Sequence, residues 1–396
     1  MSPSERHALI AWSAIAEPGD AVAGALVEHL GAGDALQWLH SAMVNPDSAV
    51  HAIAPELDSR YRHLLLTAID RWGRRWDVAD CPHEGRAHSV GAHVLVRGEE
   101  GWPHALSDLG PVTPFALYVR GEVDLDALWS RSAAIVGARA ATAYGAHVAA
   151  EIAQSVASAG GTVISGGAFG IDIAAHRAAL AMNAPSIAVM AGGIDRLYPA
   201  ANRCTLTDLI RDGAVVSEVP PGFAPHRSRF LSRNRLIAAA SATVVVEAAA
   251  RSGSLSTARH AAELLRPVGA VPGAVTSASS TGCHDLIREG AAVLVGCAAD
   301  AVELMVSTRE WAQHAPARPT HSTAQQGLLD FADPHERAVF DAASSRASDL
   351  DELARRAGLD HQAARIAAGA LAARGLLEPH QGGWRKARTA PTKGTK

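Results

Sequence analysis

Between residues 131 and 296 short apolar runs recur: SAAIVG (132–137), GTVISGG (161–167), PSIAVMAGG (185–193), AVVSEVP (214–220), ATVVVEA (242–248), VGAVPG (268–273) and AAVLVG (291–296). None alternates strictly with polar residues, so each reads as a strand buried on both faces. Most are followed by stretches with helical periodicity, as over 141–159, 172–182, 233–240 and 256–265. A repeated strand–helix pattern predicts an α/β fold, a doubly wound, mainly parallel sheet with right-handed crossovers. Ligands of such sheets sit at the carboxyl ends of the strands, where several of these runs end in glycine.

The flanks differ. Residues 1 to about 75 give short amphipathic segments broken at Pro18-Gly19, Gly31 and Gly33, which predicts a small helical domain over 1–80. Residues 81–130 suggest a strand pair around a loop, at the start of a central domain running to 306. Prolines 316, 319 and 334 mark 307–334 as a linker. Residues 335–386 then read as three helices, a Gly358-Leu359 turn and a β-wing, the order of a winged helix-turn-helix; 387–396 read as a basic tail.

Composition narrows the class. A 48% hydrophobic fraction over 396 residues supports two or three cored domains. The apolar stretch 8–16 is too short to span a membrane and reads as the first helix of a cytosolic domain. The four cysteines form no CxxC pair, which fits a reduced compartment. Cys81, His83, His88 and His93 lie close together, but without the paired spacing of a zinc site; a solvated His-rich loop is expected, and no metal. Net charge is −4, unevenly spread: residues 1–80 hold 6 basic and 11 acidic side chains, residues 335–396 hold 11 and 7. The total therefore does not decide whether the partner is a nucleic acid.

The strand ends carry the candidate chemistry. Gly137 allows a close turn, Arg139 stands where the next helix begins, and Thr142 suits its cap. Ser165, Gly166, Gly167 and Gly170 form a glycine turn whose amides could hold an anion. Asp172 and His176, four residues apart, read as bracing groups, as does Glu247. Asn202 and Arg203 close a third loop. In HRSRFLSRNR, Arg227, Arg229, Arg233 and Arg235 fall within nine residues beside Phe223, Phe230 and Asn234, a pattern suited to clamping phosphates and stacking on bases. Ser254, in the Ser-Gly-Ser turn before Thr257, sits at another helix start. Structural glycine turns and solvated arginines are the plain alternatives. No GxxxxGK[ST], no GxGxxG after the first strand and no nucleophile–base–orienter arrangement occurs, so neither an ATP-driven motor, a nicotinamide enzyme nor a triad hydrolase is expected.

In order, VGAR..T.YG, ISGGA.GID..AH..AL, GID..YP..N, SE.PPG, F..RNR.IA..S, VVVEA...SGSL.TA and AVPG resemble the DNA-processing protein A (DprA/Smf) family over roughly 131–295. Ala138 and His284 depart from the common serine and asparagine, and Arg203 stands where lysine is frequent. The resemblance implies a Rossmann-like single-stranded-DNA-binding domain, preceded by a SAM- or helix-hairpin-helix-like domain and followed by a winged helix that takes duplex DNA or protein. It implies a cytoplasmic homodimer without catalytic activity or cofactor, which loads the RecA recombinase on incoming DNA in natural transformation. By motif, Gly137, Arg139, Ser165, Gly166, Asn202, Arg203, Arg233 and Arg235 would line or support the DNA pocket. Two other readings are a lysine-decarboxylase-like nucleoside-monophosphate phosphoribohydrolase, whose PGGxGTxxE glutamate has no counterpart here, and a winged-helix regulator sensing a nucleotide.

Overall fold

A computed structural model describes residues 2–305 and 333–387, apart from Leu57, Ser345, Arg374 and Gln381. The linker expected at 307–334 and the tail expected at 387–396 lie, but for their edges, outside the described residues. The chain divides into two compact units, Met1–Pro316 and Ala317–Lys396.

The first unit opens with seven helices: α1 (Pro3–Ile15), α2 (Ala21–Leu30), α3 (Ala32–Val44), α4 (Pro46–Ile53), α5 (Ser59–Gly73), α6 (Trp76–Ala79) and α7 (His83–Ser89). Strands β1 (His93–Val96) and β2 (Ala116–Arg120) pair antiparallel, as the sequence suggests. After α8 (Leu125–Ser130) the chain alternates strand and helix. The order is β3 (Ser132–Gly137), α9 (Ala143–Ser158), β4 (Thr162–Ser165), α10 (Ile171–Ala181), β5 (Ser186–Met190), α11 (Arg203–Asp212), β6 (Ala214–Ser217), α12 (Arg227–Ala238), β7 (Ala242–Val246), α13 (Ser254–Glu263), β8 (Val268–Ala270), α14 (Thr281–Arg288), β9 (Val293–Leu294) and α15 (Ala298–Met305).

These strands form one sheet in the order β1-β2-β6-β5-β4-β3-β7-β8-β9. From β6 to β9 every pairing is parallel; only β1–β2 and β2–β6 are antiparallel. The doubly wound sheet is thus present, with an antiparallel pair added at one edge. The strand order reverses between β3 and β7, because β4, β5 and β6 are laid to one side of β3 and β7, β8 and β9 to the other. Chains diverging from that pair leave a crevice at its carboxyl end.

The N-terminal helices share their core with the sheet. Trp12 and Trp72 meet edge to face at 5.3 Å, and their cluster continues through Phe115 to Ala188, Met190 and Val215 of the sheet layer. The buried Ser13 and Tyr118 hydroxyls are 2.9 Å apart. Arg229 of α12 donates to both carboxylate oxygens of Glu17 at 3.0 and 2.9 Å, and Arg75 pairs with the same group. The helices predicted as a separate domain therefore pack with the sheet as one compact unit.

One boundary differs from the sequence reading. The helix expected at 233–240 begins at Arg227, just past Pro225 and the extended His226, so the arginine-rich segment is helical. Its last six residues, Arg233 to Ala238, are all buried, so neither face shows a solvent period.

The second unit holds α16 (Pro334–Ala342), α17 (Leu350–Ala357), α18 (His361–Ala373) and an antiparallel ribbon, β10 (Leu377–His380) with β11 (Gly383–Lys386). Gly358 ends α17 in the left-handed conformation at φ 67°, the turn expected there. Val339, Leu353, Ala364, Leu371 and Leu377 build its core.

Burial alone would raise the Glu17 pKa, but hydrogen bonds from Arg229 and Arg75 outweigh it and hold the carboxyl at about 2 against an ordinary 4.5. The contribution of this cluster is complete above about pH 4.5 and is lost as pH falls toward 2. Glu17→Gln should lower stability at pH 7 and flatten the pH dependence of stability between those values, read by tryptophan fluorescence during urea unfolding. Parallel pH profiles for the two proteins would show that the cluster does not stabilise the fold.

Candidate nucleic-acid interface

The crevice at the β3–β7 reversal holds a cavity of about 250 Å³. Gly137 and Arg139 line it from the end of β3, Ala168 and Asp172 from the turn into α10, and Ser252, Gly253, Ser254 and Thr257 from the start of α13. Helix α12 supplies Phe230, Leu231, Arg233, Asn234 and Ile237, a spacing that keeps one helical face toward the cavity. Arg227 stands three and four residues before Phe230 and Leu231, at the head of that stripe, and is exposed.

The other three arginines of α12 are turned inward, each 5% exposed. Arg229 serves Glu17 and the Ala224 carbonyl, with its guanidinium 5.2 Å from the Phe223 ring centroid. Arg235 forks onto Glu218 at 2.6 and 2.5 Å and also donates to the Val112 carbonyl at 2.9 Å. Arg233 donates to the carbonyls of Gly166, at 3.0 Å, and Val189. Burial lowers its pKa to about 10, against the opposing charge of Asp172. The segment read as a basic cluster is thus a set of internal braces with one exposed cation, Arg227. Glu17 and Glu218 supply carboxylates to Arg229 and Arg235, whereas Arg233 meets two carbonyls through one terminal nitrogen and its buried Nε has no partner.

The glycine turn holds a carboxyl group, and it is the protein's own. Asp172 accepts from the Gly166 and Ala168 amides at 3.1 and 3.4 Å. Its carboxyl is fully enclosed, and burial raises its pKa against the pull of Arg233 and these amides. Asn202 donates to the Gly167 and Ala168 carbonyls at 3.0 and 3.2 Å, and the Ser165 hydroxyl donates to Ile135 at 2.6 Å. Gly170, at φ 76°, starts α10. Beneath them the buried His176 shares a 2.8 Å hydrogen bond with Ser186, and burial pushes its pKa down to about 3, so it stays neutral.

The α9 start is closed in the same way. Thr142 caps it through Gly145, and Glu247 accepts from the Thr142 amide and hydroxyl at 2.9 and 2.5 Å. Glu247 pays for that reach with a left-handed backbone, φ 55°. The α13 start differs: Gly253 caps it without a side-chain hydrogen bond, and its carbonyl accepts from Asn234 at 3.2 Å. Across the crevice Arg139 is exposed, its guanidinium 5.2 Å from the Phe230 ring centroid. Arg139, Asp172, Arg233, Asn234 and Ser254 are therefore brought together with Gly137. Arg203 is exposed at the start of α11, outside the cavity lining, and Asn202 faces the glycine turn. Sequence reasoning named neither Glu17 nor Glu218 as partners; the pairing of Glu218 and Arg235 spans two elements and leaves no local pattern.

Elsewhere, His83 bonds the Val78 carbonyl through Nε2 at 2.7 Å and Cys81 lies 3.8 Å from the Asp77 carbonyl. Among the described residues no three of His, Cys, Asp or Glu are placed to hold a metal ion. Nor is any helix there long and apolar enough to cross a membrane.

A Cβ on Gly166 would lie 2.5 Å from both terminal nitrogens of Arg233. Gly166→Val should therefore displace Arg233 from its carbonyls and cost about 3 kcal/mol in urea unfolding. Ser165→Ala removes one neutral hydrogen bond and should cost about 1 kcal/mol. Equal small losses would show that Arg233 does not depend on this close approach.

The chain is similar to known proteins. The family model described as DNA recombination-mediator protein A matches residues 93–306. A DNA processing protein DprA of Mycobacterium tuberculosis (strain CDC 1551 / Oshkosh) is 39% identical over 390 residues, covering 95% of this chain and 93% of that one. Protein Smf of Escherichia coli K12 is 40% identical over 247 residues, 62% of this chain and 64% of the relative. The X-ray structure of DNA processing protein A from Streptococcus pneumoniae superposes with a TM-score of 0.55 at 30% identity, over 68% of this chain and 96% of that one. A doubly wound sheet with an antiparallel edge pair and a basic-rimmed crevice at its reversal, together with similarity to a relative over nearly its full length, has one reading: this chain belongs to the DNA recombination-mediator protein A family.

Proposed function

We propose that this chain binds single-stranded DNA across the β3–β7 crevice and delivers it to a RecA recombinase, as a binding mediator and not as an enzyme. The observation that carries the reading is Arg139, an exposed cation at the mouth of a cavity that Gly137, Asn234 and Ser254 line beside it. In this reading Arg139 and Arg227 meet phosphates, and Asn234, Ser254 and the backbone at Gly137 line the strand's seat. Arg233, Arg235, Asn202, Thr142, Ser165, Gly166, Gly167 and Gly170 act indirectly, by holding the walls. Arg203 serves a neighbouring phosphate. Strand capture without base reading needs no more than neutralised phosphates and flat apolar contacts.

Delivery to RecA during natural transformation, and assembly as a homodimer that concentrates strand and recombinase, extend the same proposal. The C-terminal unit, read as a winged helix, would then serve a separate duplex or protein contact.

The test is anisotropy of labelled oligo-dT, with duplex DNA and free nucleotides as competitors, across a salt series. Arg139→Ala and Arg227→Ala should each weaken binding in a folded protein and reduce the logarithmic salt slope by about 0.7. Unchanged slopes in both variants would remove the crevice from the site. Removing residues 333–396 should leave oligo-dT binding intact; its loss in a folded truncation would move the site to the C-terminal unit. Strand exchange by RecA on DNA coated with single-strand-binding protein should accelerate when the wild-type chain is added and not when Arg139→Ala is. Release of base from a nucleoside monophosphate with no effect on exchange would favour the phosphoribohydrolase reading instead.

A further inference from the structure

Outside the cavity, one surface feature is left without a structural task. Tyr198, in the loop after β5, is 49% exposed, although its ring packs 6.0 Å from that of Phe230 at 57°. Phe230 carries the Arg139 guanidinium 5.2 Å from its centroid. A cation and two aromatic rings thus run in contact from the cavity rim onto the ends of β4 and β5, joining three separate segments of chain. The loop bearing Tyr198 is fixed to the cavity wall, since Asn202 donates to the Gly167 and Ala168 carbonyls and Ala168 lines the cavity. Arg203, further along the same segment of chain, is exposed at the head of α11. Phe169, next to Ala168, is 47% exposed.

We infer that Tyr198 is a second base-stacking position, over which a single strand leaves the cavity toward Arg203. The inference rests on the single-strand reading above. A half-exposed ring held in place offers a π-face that every base can use, at little cost in side-chain ordering. Arg139 and Arg203 are exposed cations that would neutralise phosphates of a strand passing over Tyr198, so the occupant that fits both chemistries is a nucleic-acid strand and not an apolar protein segment. Stacking carries no charge. Its loss must therefore weaken binding without altering the salt slope, whereas loss of an arginine alters both.

The experiment uses the full chain and oligo-dT of increasing length. Tyr198→Leu keeps apolar bulk against Phe230 but removes the π-face; Tyr198→Phe keeps it. For oligomers long enough to leave the cavity, Tyr198→Leu should raise Kd about tenfold with an unchanged salt slope. Tyr198→Phe should match the wild type, and the shortest oligomer that binds should not distinguish the three proteins. Wild-type affinity in Tyr198→Leu at every length, or an equal loss in Tyr198→Phe, would overturn the inference while leaving the single-strand reading in place. Failure of the wild-type chain to bind oligo-dT would overturn both.

Discussion

Helix α12 is buried along its last turns and still carries Arg229, Arg233 and Arg235, a condition that holds only while each guanidinium meets a fixed acceptor. Glu17 from the N-terminal helices, Glu218 from the end of β6 and the carbonyls of Gly166 and Val189 are those acceptors. The rest of the molecule is arranged around this requirement. The N-terminal helices are tied to the sheet through Glu17, the β6 end is tied to α12 through Glu218, and the glycine turn lies on Arg233 because a residue without Cβ can.

The same economy of charge explains the crevice. Three helices begin around it, and each start is a centre of positive potential. Asp172 occupies the turn before α10 and Glu247 the start of α9, so neither attracts an outside anion. The start of α13 has no such carboxylate, and Arg139 and Arg227 are the exposed cations nearby. A net-negative chain can in this way present a positive mouth: three arginines of α12 are braced inside, while Arg139 and Arg227 stay exposed at the strand reversal.

Aromatic and apolar groups complete the surface. Phe230 is held between Arg139 and Tyr198, while Leu231, 47% exposed, stands on the stripe headed by Arg227. Rigid walls under exposed rings and cations suit a ligand whose backbone is charged and whose bases are flat. They suit small polar substrates less, since no buried, unengaged nucleophile and base meet there: His176 is neutral and beneath the turn, and Asp172 is enclosed by amides.

The sequence alone determined the alternation of strand and helix, the parallel sheet, the β1–β2 pair and the glycine-rich strand ends where a crevice lies. These follow from hydrophobic period and glycine position, which are local properties that burial on both faces enforces. It also marked Gly137, Arg139, Asp172, Arg233, Asn234 and Ser254, which meet in one cavity. The tertiary structure decided what each charge does. HRSRFLSRNR reads as a phosphate clamp because four cations stand close together in sequence, yet their fates depend on Glu17, 212 residues from Arg229, and Glu218, 17 from Arg235. The glycine turn reads as an anion cradle, and only the fold shows that Asp172 fills it. Charge pairing across elements follows no sequence period, so it becomes visible only when the chain is packed.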